Sequence, residues 1–397
     1  MLTTTKAKRA MVIGAGPMGL ETALHCLARG FETTVLEAGR VGENIRRWGH
    51  IRMFSPFAMN LSPLAREILG SQVPPDDSIQ TGDMFVKTVL EPLAQSERLR
   101  NSIHTNRRVI AIARTGLGKM GLPGHPLRSE RSFRVLAEDD HGREHVYHAD
   151  LVFDASGVFG QPNWSGHSGM PAPGERLLKA RIFRHPPKIT QTSAFVNKHT
   201  LVIGHGHSAG NTVLALAKLT QEFPATAVTW IVRSDRARPV IEVAADPLHE
   251  RDQIAKAAND VAQEPPAGWR VLRRCQVESF SLKEPAIAVT LKIGKMRQAV
   301  EVDEIISLTG YRPNLDMLRE TTVSLSDVSE GTAGLYRALT NVTDCLAKID
   351  VNFEDLQSGE PGLFIVGIKS YGRNSGFLLR SGIEQLDAIF NRTKSLS

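Results

Sequence analysis

Cysteine is scarce in this sequence, with three residues in 397, and these stand far apart at Cys26, Cys275 and Cys345. The scarcity excludes a disulfide framework, a structural zinc cluster and a CxxC redox pair. Isolated cysteines suit a reducing compartment, so we expect a cytoplasmic protein. Long apolar runs are also missing, since none approaches about 18 residues, and no membrane-spanning helix is expected. The N-terminal stretch leads straight into a predicted strand, which leaves no room for a leader peptide.

A strong excess of one charge is missing too. Lys and Arg number 48 against 42 Asp and Glu, which gives a net charge of +6. This excess is too weak for a nucleic-acid footprint and suits the binding of phosphate-bearing small molecules. Three histidines have the spacing of metal ligands (His141, His145 and His148), but they fall in a predicted hairpin and do not share one face. We therefore expect neither a metal ion nor a nucleic-acid partner.

A glycine motif follows the first predicted strand. Its residues are Gly14, Gly16 and Gly19 in the pattern G-x-G-x-x-G, and Glu37 ends the next predicted strand. In a βαβ unit these glycines permit a tight turn, a close approach to a pyrophosphate and close helix–strand packing. The helix start offers free N–H groups to the phosphates, and an acid about 20 residues further on accepts hydrogen bonds from ribose. The segment predicts a bound dinucleotide.

A second glycine motif has the pattern G-x-G-x-x-A and consists of Gly204, Gly206 and Ala209. The strand that follows it ends at Arg233 rather than at an acid, and Arg236 and Arg238 come soon after. A carboxylate here would repel a 2′-phosphate, whereas a guanidinium binds it with two hydrogen bonds. The second motif therefore favours NADPH over NADH.

The two segments that begin with the glycine motifs also end in the same way. Each passes through two predicted strands and then reaches an apolar strand followed by a glycine, Gly157 in one copy and Gly310 in the other. The predicted strands cover residues 133–137, 145–148, 287–293 and 299–302. This parallel predicts an internal duplication of a dinucleotide-binding fold, with an insertion in the first copy.

Together the motifs resemble the two-dinucleotide-binding-domain flavoproteins, which include class B flavin monooxygenases, amine N-hydroxylases, thioredoxin reductases and bacillithiol disulfide reductases. The resemblance extends over nearly the whole chain. It implies an α/β fold with two Rossmann-like domains of three-layer β/β/α architecture. The NADPH domain, residues 166–300, would be inserted in the FAD domain, residues 1–165 and 301–397. FAD would bind the first motif and NADPH the second.

The resemblance also implies the cofactor-binding residues, which lie in the two motifs and in the segments after them. They are Gly14, Gly16, Pro17, Met18, Gly19, Glu37, Ala38, Arg46, Trp48, Ser156, Gly157, Gly204, Gly206, His207, Ser208, Ala209, Arg233, Arg238, Thr309, Gly310 and Gly367. Many relatives carry Asp after the last of these glycines, where this chain has Ile368. The ribityl contact would then come from the backbone or from a neighbour such as Lys369 or Ser370.

Residues 41–50 indicate which branch of these flavoproteins the chain resembles, because they are similar to the glycine–tryptophan stretch of flavin monooxygenases. The sequence fingerprint that flavin monooxygenases carry before the second glycine motif is incomplete here, because residues 181–187 keep only its histidine. The thioredoxin reductases use a CxxC pair, and the bacillithiol reductases place a cysteine in the first motif, where Met18 stands here. Cys26, on the helix that follows, is interpreted as a packing residue. The chain thus resembles the monooxygenases and amine N-hydroxylases more than the reductases.

This resemblance implies an FAD-containing, NADPH-dependent monooxygenase. It would oxygenate nitrogen, sulfur or a carbonyl of a small molecule with O₂, through a C4a-hydroperoxyflavin in a water-excluding pocket. The candidate catalytic residues are His50, Arg52, Ser55, Asn60 and Lys369. Two alternatives remain open at single positions: Arg52 as a ligand of FAD phosphate, and Asn60 as the cap of a following helix. Relatives often form homodimers.

The alternative function is an NADPH-dependent flavoprotein reductase of a low-molecular-weight disulfide, a quinone or a partner protein. A third function, that of a redox sensor without turnover, is not favoured. A protein without turnover would have little reason to keep two intact glycine motifs.

Overall fold

The computed structural model describes residues 7–340, 342, 345–347 and 351–392. Residues 1–6, on which the expectation about a leader rests, lie outside this set. The chain forms two compact units: the first comprises residues 1–46, 55–161 and 311–397, and the second comprises 47–54 and 162–310. None of the helices described is long and apolar enough to cross a membrane.

The strands are β1 Arg9–Ile13, β2 Glu32–Leu36, β3 Ile103–His104, β4 Arg108–Arg114, β5 Phe133–Glu138, β6 Glu144–Ala149, β7 Leu151–Asp154, β8 Ile182–Phe183, β9 His199–Ile203, β10 Ala227–Ile231, β11 Arg270–Leu272, β12 Cys275–Lys283, β13 Ala286–Ile293, β14 Met296–Val302, β15 Glu304–Ser307 and β16 Leu363–Ile365. The α-helices are α1 Pro17–Ala28, α2 Glu43–Arg46, α3 Pro63–Leu69, α4 Gly82–Phe85, α5 Glu91–Gln95, α6 Pro126–Ser129, α7 His207–Glu222, α8 His249–Gln263, α9 Ala333–Leu339, α10 Phe353–Leu356, α11 Ile368–Tyr371 and α12 Leu379–Arg392. A π-helical turn, Val86–Leu90, joins α4 to α5.

The first unit is built on a parallel sheet with the strand order β16-β7-β1-β2-β3. Its central strands β1 and β7 are almost entirely buried, as expected for strands covered on both faces, and each carries one charged residue at an end, Arg9 in β1 and Asp154 in β7. The antiparallel strands β4, β5 and β6 cover one face. Along β5 the buried residues alternate, so that Phe133, Val135 and Ala137 point into a shared core with Met11 and Ile13 of β1. Helices α1 and α12 pack against each other in the same unit.

The second unit repeats this plan. Its parallel sheet has the order β11-β10-β9-β15-β8, and the antiparallel strands β12, β13 and β14 share a core with it. A separate core joins α7 and α8 to the sheet, around the fully buried Trp230. The predicted fold class, two Rossmann-like domains with parallel sheets, is confirmed.

The second unit interrupts the chain of the first, because β16 at the C-terminal end pairs with β7. The sequence-based division differs from these units in three places, at residues 47–54, 162–165 and 301–310, which all group with the second unit. Strand β15 lies in the second unit because it pairs with β9 along its length.

A buried carboxylate ties together distant parts of the first unit. Glu360 accepts hydrogen bonds at 2.8 Å from both Arg114 Nε and Arg128 Nη2, and all three side chains are almost fully buried. Thr322 adds bonds from its backbone N–H and its hydroxyl. Burial alone would raise the pKa of Glu360, but the bonds from Arg128, Arg114 and Thr322 lower this pKa to about 2.

We expect Glu360→Gln to lower the free energy of unfolding by about 3–5 kcal/mol, because two buried guanidinium groups lose their counter-charge. Urea denaturation at neutral pH measures the loss. Arg143→Ala is the matched control, since it removes an ion pair whose cation is exposed, and it should cost less than about 1 kcal/mol. Equal effects of the two variants would contradict this role for Glu360.

The lowered pKa of Glu360 also predicts a pH dependence. A depressed carboxyl pKa stabilises the fold above the unfolded-state value of about 4.3. That contribution should be lost as pH falls from about 4.3 towards 2. The difference in unfolding free energy between wild type and Glu360→Gln should therefore narrow over this range, as followed by denaturation at several pH values.

Candidate dinucleotide-binding sites

The first glycine loop joins the carboxyl end of β1 to α1. Gly14 has φ +97°, and a Cβ placed on it would lie 2.9 Å from the carbonyl oxygen of Ala155. A Cβ on Gly19 would overlap the carbonyl oxygen of Gly14. The turn therefore closes only with glycine at both positions.

The start of α1 has the properties of an anion site. Its N-cap is Gly16 and its first residue is Pro17, so no side chain caps the first turn. A Cβ on Gly16 would meet nothing within 4 Å, which leaves space directly in front of the helix. The free N–H groups and the positive end of the helix dipole fit a pyrophosphate.

Glu37 stands beside this loop, just after β2. Its carboxylate accepts hydrogen bonds from Ala15 N at 2.7 Å and from Gly39 N at 2.8 Å. Burial raises the pKa of Glu37, and these two bonds oppose the rise. Ala38 connects Glu37 to Gly39 in the same loop. The carboxylate thus stands at the glycine loop, where the sequence predicts a contact with ribose.

The second glycine loop repeats this geometry at α7. Its N-cap Gly206 has φ −82° and ψ 177°, close to the −81° and −174° of Gly16, and it also lacks a side-chain cap. A Cβ on Gly206 would meet nothing within 4 Å. Gly204 has φ +124°, and its carbonyl accepts a 2.7 Å bond from the indole N–H of Trp230. Ala209 is fully buried.

Two exposed arginines stand near this second loop. Burial, and then the charges of Arg233 and Arg236, lower the pKa of His205 within the loop. Arg238 is engaged elsewhere, because it bonds Glu242 at 2.6 Å and Asp260 at 3.0 Å. The geometry thus offers Arg233 and Arg236 to an added phosphate.

Other predicted cofactor-binding residues lie just after strands of the two parallel sheets, at their carboxyl edges. Gly367 has φ +69°, and a Cβ there would lie 2.8 Å from Met18 Cγ. Gly157 has φ +72°. Thr309 and Gly310 follow β15, and the Thr309 hydroxyl donates to the carbonyl of Asn163 at 3.0 Å.

The residues at the start of α7 and in the segment 47–54 lie in the second unit. Ser208 is exposed, whereas the ring of His207 packs edge-on against Phe54 at 5.2 Å. Arg52 forms two hydrogen bonds to Glu250, at 2.7 and 3.0 Å. Trp48 and His50 belong to the same segment.

Arg46, Ser55 and Asn60 lie in the first unit. Arg46 bonds Glu91 at 2.7 Å. Ser55 Oγ donates to Asn60 Oδ1 at 2.6 Å, and both side chains are buried. Asn60 as a helix cap is wrong, because Ser62 caps α3 by accepting from the N–H of Ala65.

Sequence reasoning missed the partner of Lys369. This lysine is fully buried in α11, and its Nζ lies 2.6 Å from Asp154 at the end of β7. Ser156 Oγ accepts a hydrogen bond from the same ammonium at 3.0 Å. The available signal was an acid that ends an entirely buried strand, because such a charge needs a buried partner.

The comparisons with known proteins agree with this geometry. A family model of pyridine nucleotide-disulphide oxidoreductases matches residues 8–330. None of the curated protein sequences matches the chain. The bacillithiol disulfide reductase Bdr (YpdA) of Bacillus cereus is 18% identical, with a TM-score of 0.71 over 99% of this chain and 100% of its own.

Two solved hydroxylating enzymes have similar folds. The cadaverine monooxygenase DfoA of Erwinia amylovora is 13% identical, with a TM-score of 0.65 over 98% of this chain and 95% of its own. The ornithine hydroxylase PvdA of Pseudomonas aeruginosa is 14% identical, with a TM-score of 0.63 over 98% and 100%.

Two glycine loops of this kind, each at the carboxyl edge of a parallel sheet, define a flavin oxidoreductase with FAD and NADPH as cofactors. The chain belongs to the pyridine nucleotide-disulphide oxidoreductase family. The resemblance and the cofactor pair predicted from the sequence are confirmed.

We expect Gly16→Ala to fold normally and to lose most of its FAD, because the added methyl group has room in the protein and fills the space for the pyrophosphate. Gly206→Ala is the matched variant: it should keep FAD and raise the KM for NADPH about 10-fold. Flavin content, melting temperature and steady-state kinetics measure these effects. Normal flavin content in Gly16→Ala would refute the predicted site.

We expect Arg233→Ala and Arg236→Ala each to raise the KM for NADPH about 10- to 100-fold, because a hydrogen bond to a charged group contributes about 1.5–3 kcal/mol. The KM for NADH should stay nearly unchanged. Arg238→Ala is the control and should affect both coenzymes alike. A shift of equal size for NADPH and NADH in Arg233→Ala would rule out a phosphate contact.

Proposed function

We propose that this chain is an FAD-containing, NADPH-dependent monooxygenase that oxygenates a small heteroatom-bearing molecule. The burial of two of its three cysteines supports the proposal. Burial raises the pKa of the Cys26 thiol on α1, and burial raises the pKa of Cys275 to about 12. A disulfide reductase needs a thiol that ionises readily, and neither residue meets that need. Met18 occupies the motif position at which bacillithiol reductases carry their cysteine.

When bound, FAD would supply the acceptance of hydride from NADPH and the activation of O₂, with one oxygen atom going to the substrate and the other to water. The chain itself binds and orients. We propose that the N–H groups at the starts of α1 and α7 hold the two pyrophosphates. Glu37 accepts hydrogen bonds from ribose in the first unit, and Arg233 and Arg236 hold the 2′-phosphate in the second.

The five residues predicted to act in catalysis remain proposals with different roles. We still propose that His50 contacts the substrate. Ser55 and Asn60 satisfy each other, so we propose that they fix the segment before α3. Arg52 and Lys369 are each held by a carboxylate, so we propose that they position neighbouring groups.

An NADPH-dependent reductase of a low-molecular-weight disulfide is the second candidate. Cys345 favours it, because this residue is only partly buried, unlike Cys26 and Cys275. A partly exposed thiol is open to disulfide exchange. The fold shared with the bacillithiol disulfide reductase is compatible with either function.

The two functions differ in their electron acceptor. For the monooxygenase, NADPH oxidation with an amine or thioether substrate should consume oxygen in equal amount and stop after one flavin reduction under anaerobic conditions. Stopped-flow mixing of the NADPH-reduced protein with oxygen should give a transient flavin spectrum, in wild type and in Cys345→Ser alike. Continued anaerobic NADPH oxidation with a small disulfide, abolished by Cys345→Ser, would overturn the monooxygenase proposal in favour of the reductase.

A further inference from the structure

A buried ion pair stands at the carboxyl edge of the first sheet. Lys369 Nζ lies 2.6 Å from Asp154 Oδ2 and donates to Ser156 Oγ at 3.0 Å. Ser156 Oγ in turn donates to Asp154 Oδ1 at 2.7 Å. The side chains of the lysine and the aspartate are fully shielded from solvent. Because removing two charges from water is expensive, a hydrophobic pair of similar volume would often stabilise a fold as well. Stability alone therefore gives no reason for this pair.

Both members of the pair adjoin the first glycine loop. Asp154 precedes Ala155, whose carbonyl oxygen lies 2.9 Å from the Cβ position of Gly14. Lys369 follows the segment at Gly367, whose Cβ position is 2.8 Å from Met18 Cγ. The pair thus adjoins in the chain two backbone segments, one packed on the first glycine loop and the other on the first turn of α1, where FAD is expected to bind. Charges in such water-excluded surroundings act strongly on one another.

We propose that Asp154 and Lys369 are positioning residues that balance each other's charge behind the flavin site, and that this balance sets the reduction potential of FAD. The inference rests on the part of the proposed function that places FAD at the first motif, whichever acceptor takes the electrons. Reduction adds negative charge to the flavin. An uncompensated lysine would stabilise that charge, and an uncompensated aspartate would oppose it.

The test uses the purified holoprotein and two nearly isosteric variants, with the FAD midpoint potential measured by reductive titration against a reference dye. Asp154→Asn leaves the lysine cation alone and should raise the potential. Lys369→Met leaves the carboxylate alone and should lower it. The double variant, Asp154→Asn with Lys369→Met, should return the potential close to that of the wild type. A purely structural role would lower the melting temperature without shifting the potential in opposite directions.

A second variant pair covers the case in which the single variants fail to fold. Ile368→Asp keeps the ion pair intact and adds a carboxylate at a half-buried position next to it, so it should lower the potential; Ile368→Asn is its control. Potentials unchanged in all variants that retain FAD, or shifted in one common direction, would overturn the inference. Wild-type protein purified without flavin would overturn the proposed FAD site, and this inference with it.

Discussion

The geometry of the first cofactor site depends on how closely the start of α1 packs against the turn at Gly14. A side chain at Gly19 would overlap the carbonyl of Gly14, so α1 can begin where it does only because position 19 is bare. From this contact follow the open space before Gly16 and the place of Glu37 against the N–H of Ala15. The loop offers free N–H groups to an anion because its N-cap, Gly16, has no side chain that could cap the helix.

The two units reach the same geometry by different residues. Ala209 is accepted where Gly19 is required, although Gly16 and Gly206 have nearly the same backbone angles. The strands after the two motifs also differ in the charge that follows them. An acid at the first loop suits ribose hydroxyls, and arginines at the second suit a further phosphate. The same architecture in the two units thus presents side chains of opposite charge at equivalent positions, an acid in the first and arginines in the second.

Buried carboxylates connect segments of the first unit that are remote in the chain. Glu360 holds Arg114 and Arg128, and Asp154 holds Lys369. In each case the charge is compensated within a small, fully shielded group, since an uncompensated charge would destabilise the unit severely. The closing elements of the first unit, on either side of β16, are therefore fastened by ion pairs as well as by apolar packing.

Much of the fold could be predicted from the sequence by itself. The glycine motifs, the apolar strands and the repeated hairpins have local signatures, because backbone sterics and burial impose them within a few residues. These signatures predicted the fold class and the cofactor pair, which are confirmed. The cofactor-binding residues of the motifs were predicted for the same reason, and they stay a prediction.

The tertiary structure alone decided which charged groups are available. Arg233 and Arg238 look alike in sequence, yet the second is held by Glu242 and Asp260. Lys369 looked free to act on a substrate, but it is buried against Asp154. Such partners are fixed by packing between segments remote in the chain, and no local pattern encodes that packing. The sequence determined where the nucleotides are expected to bind, and the folded chain determined which side chains remain free to meet them.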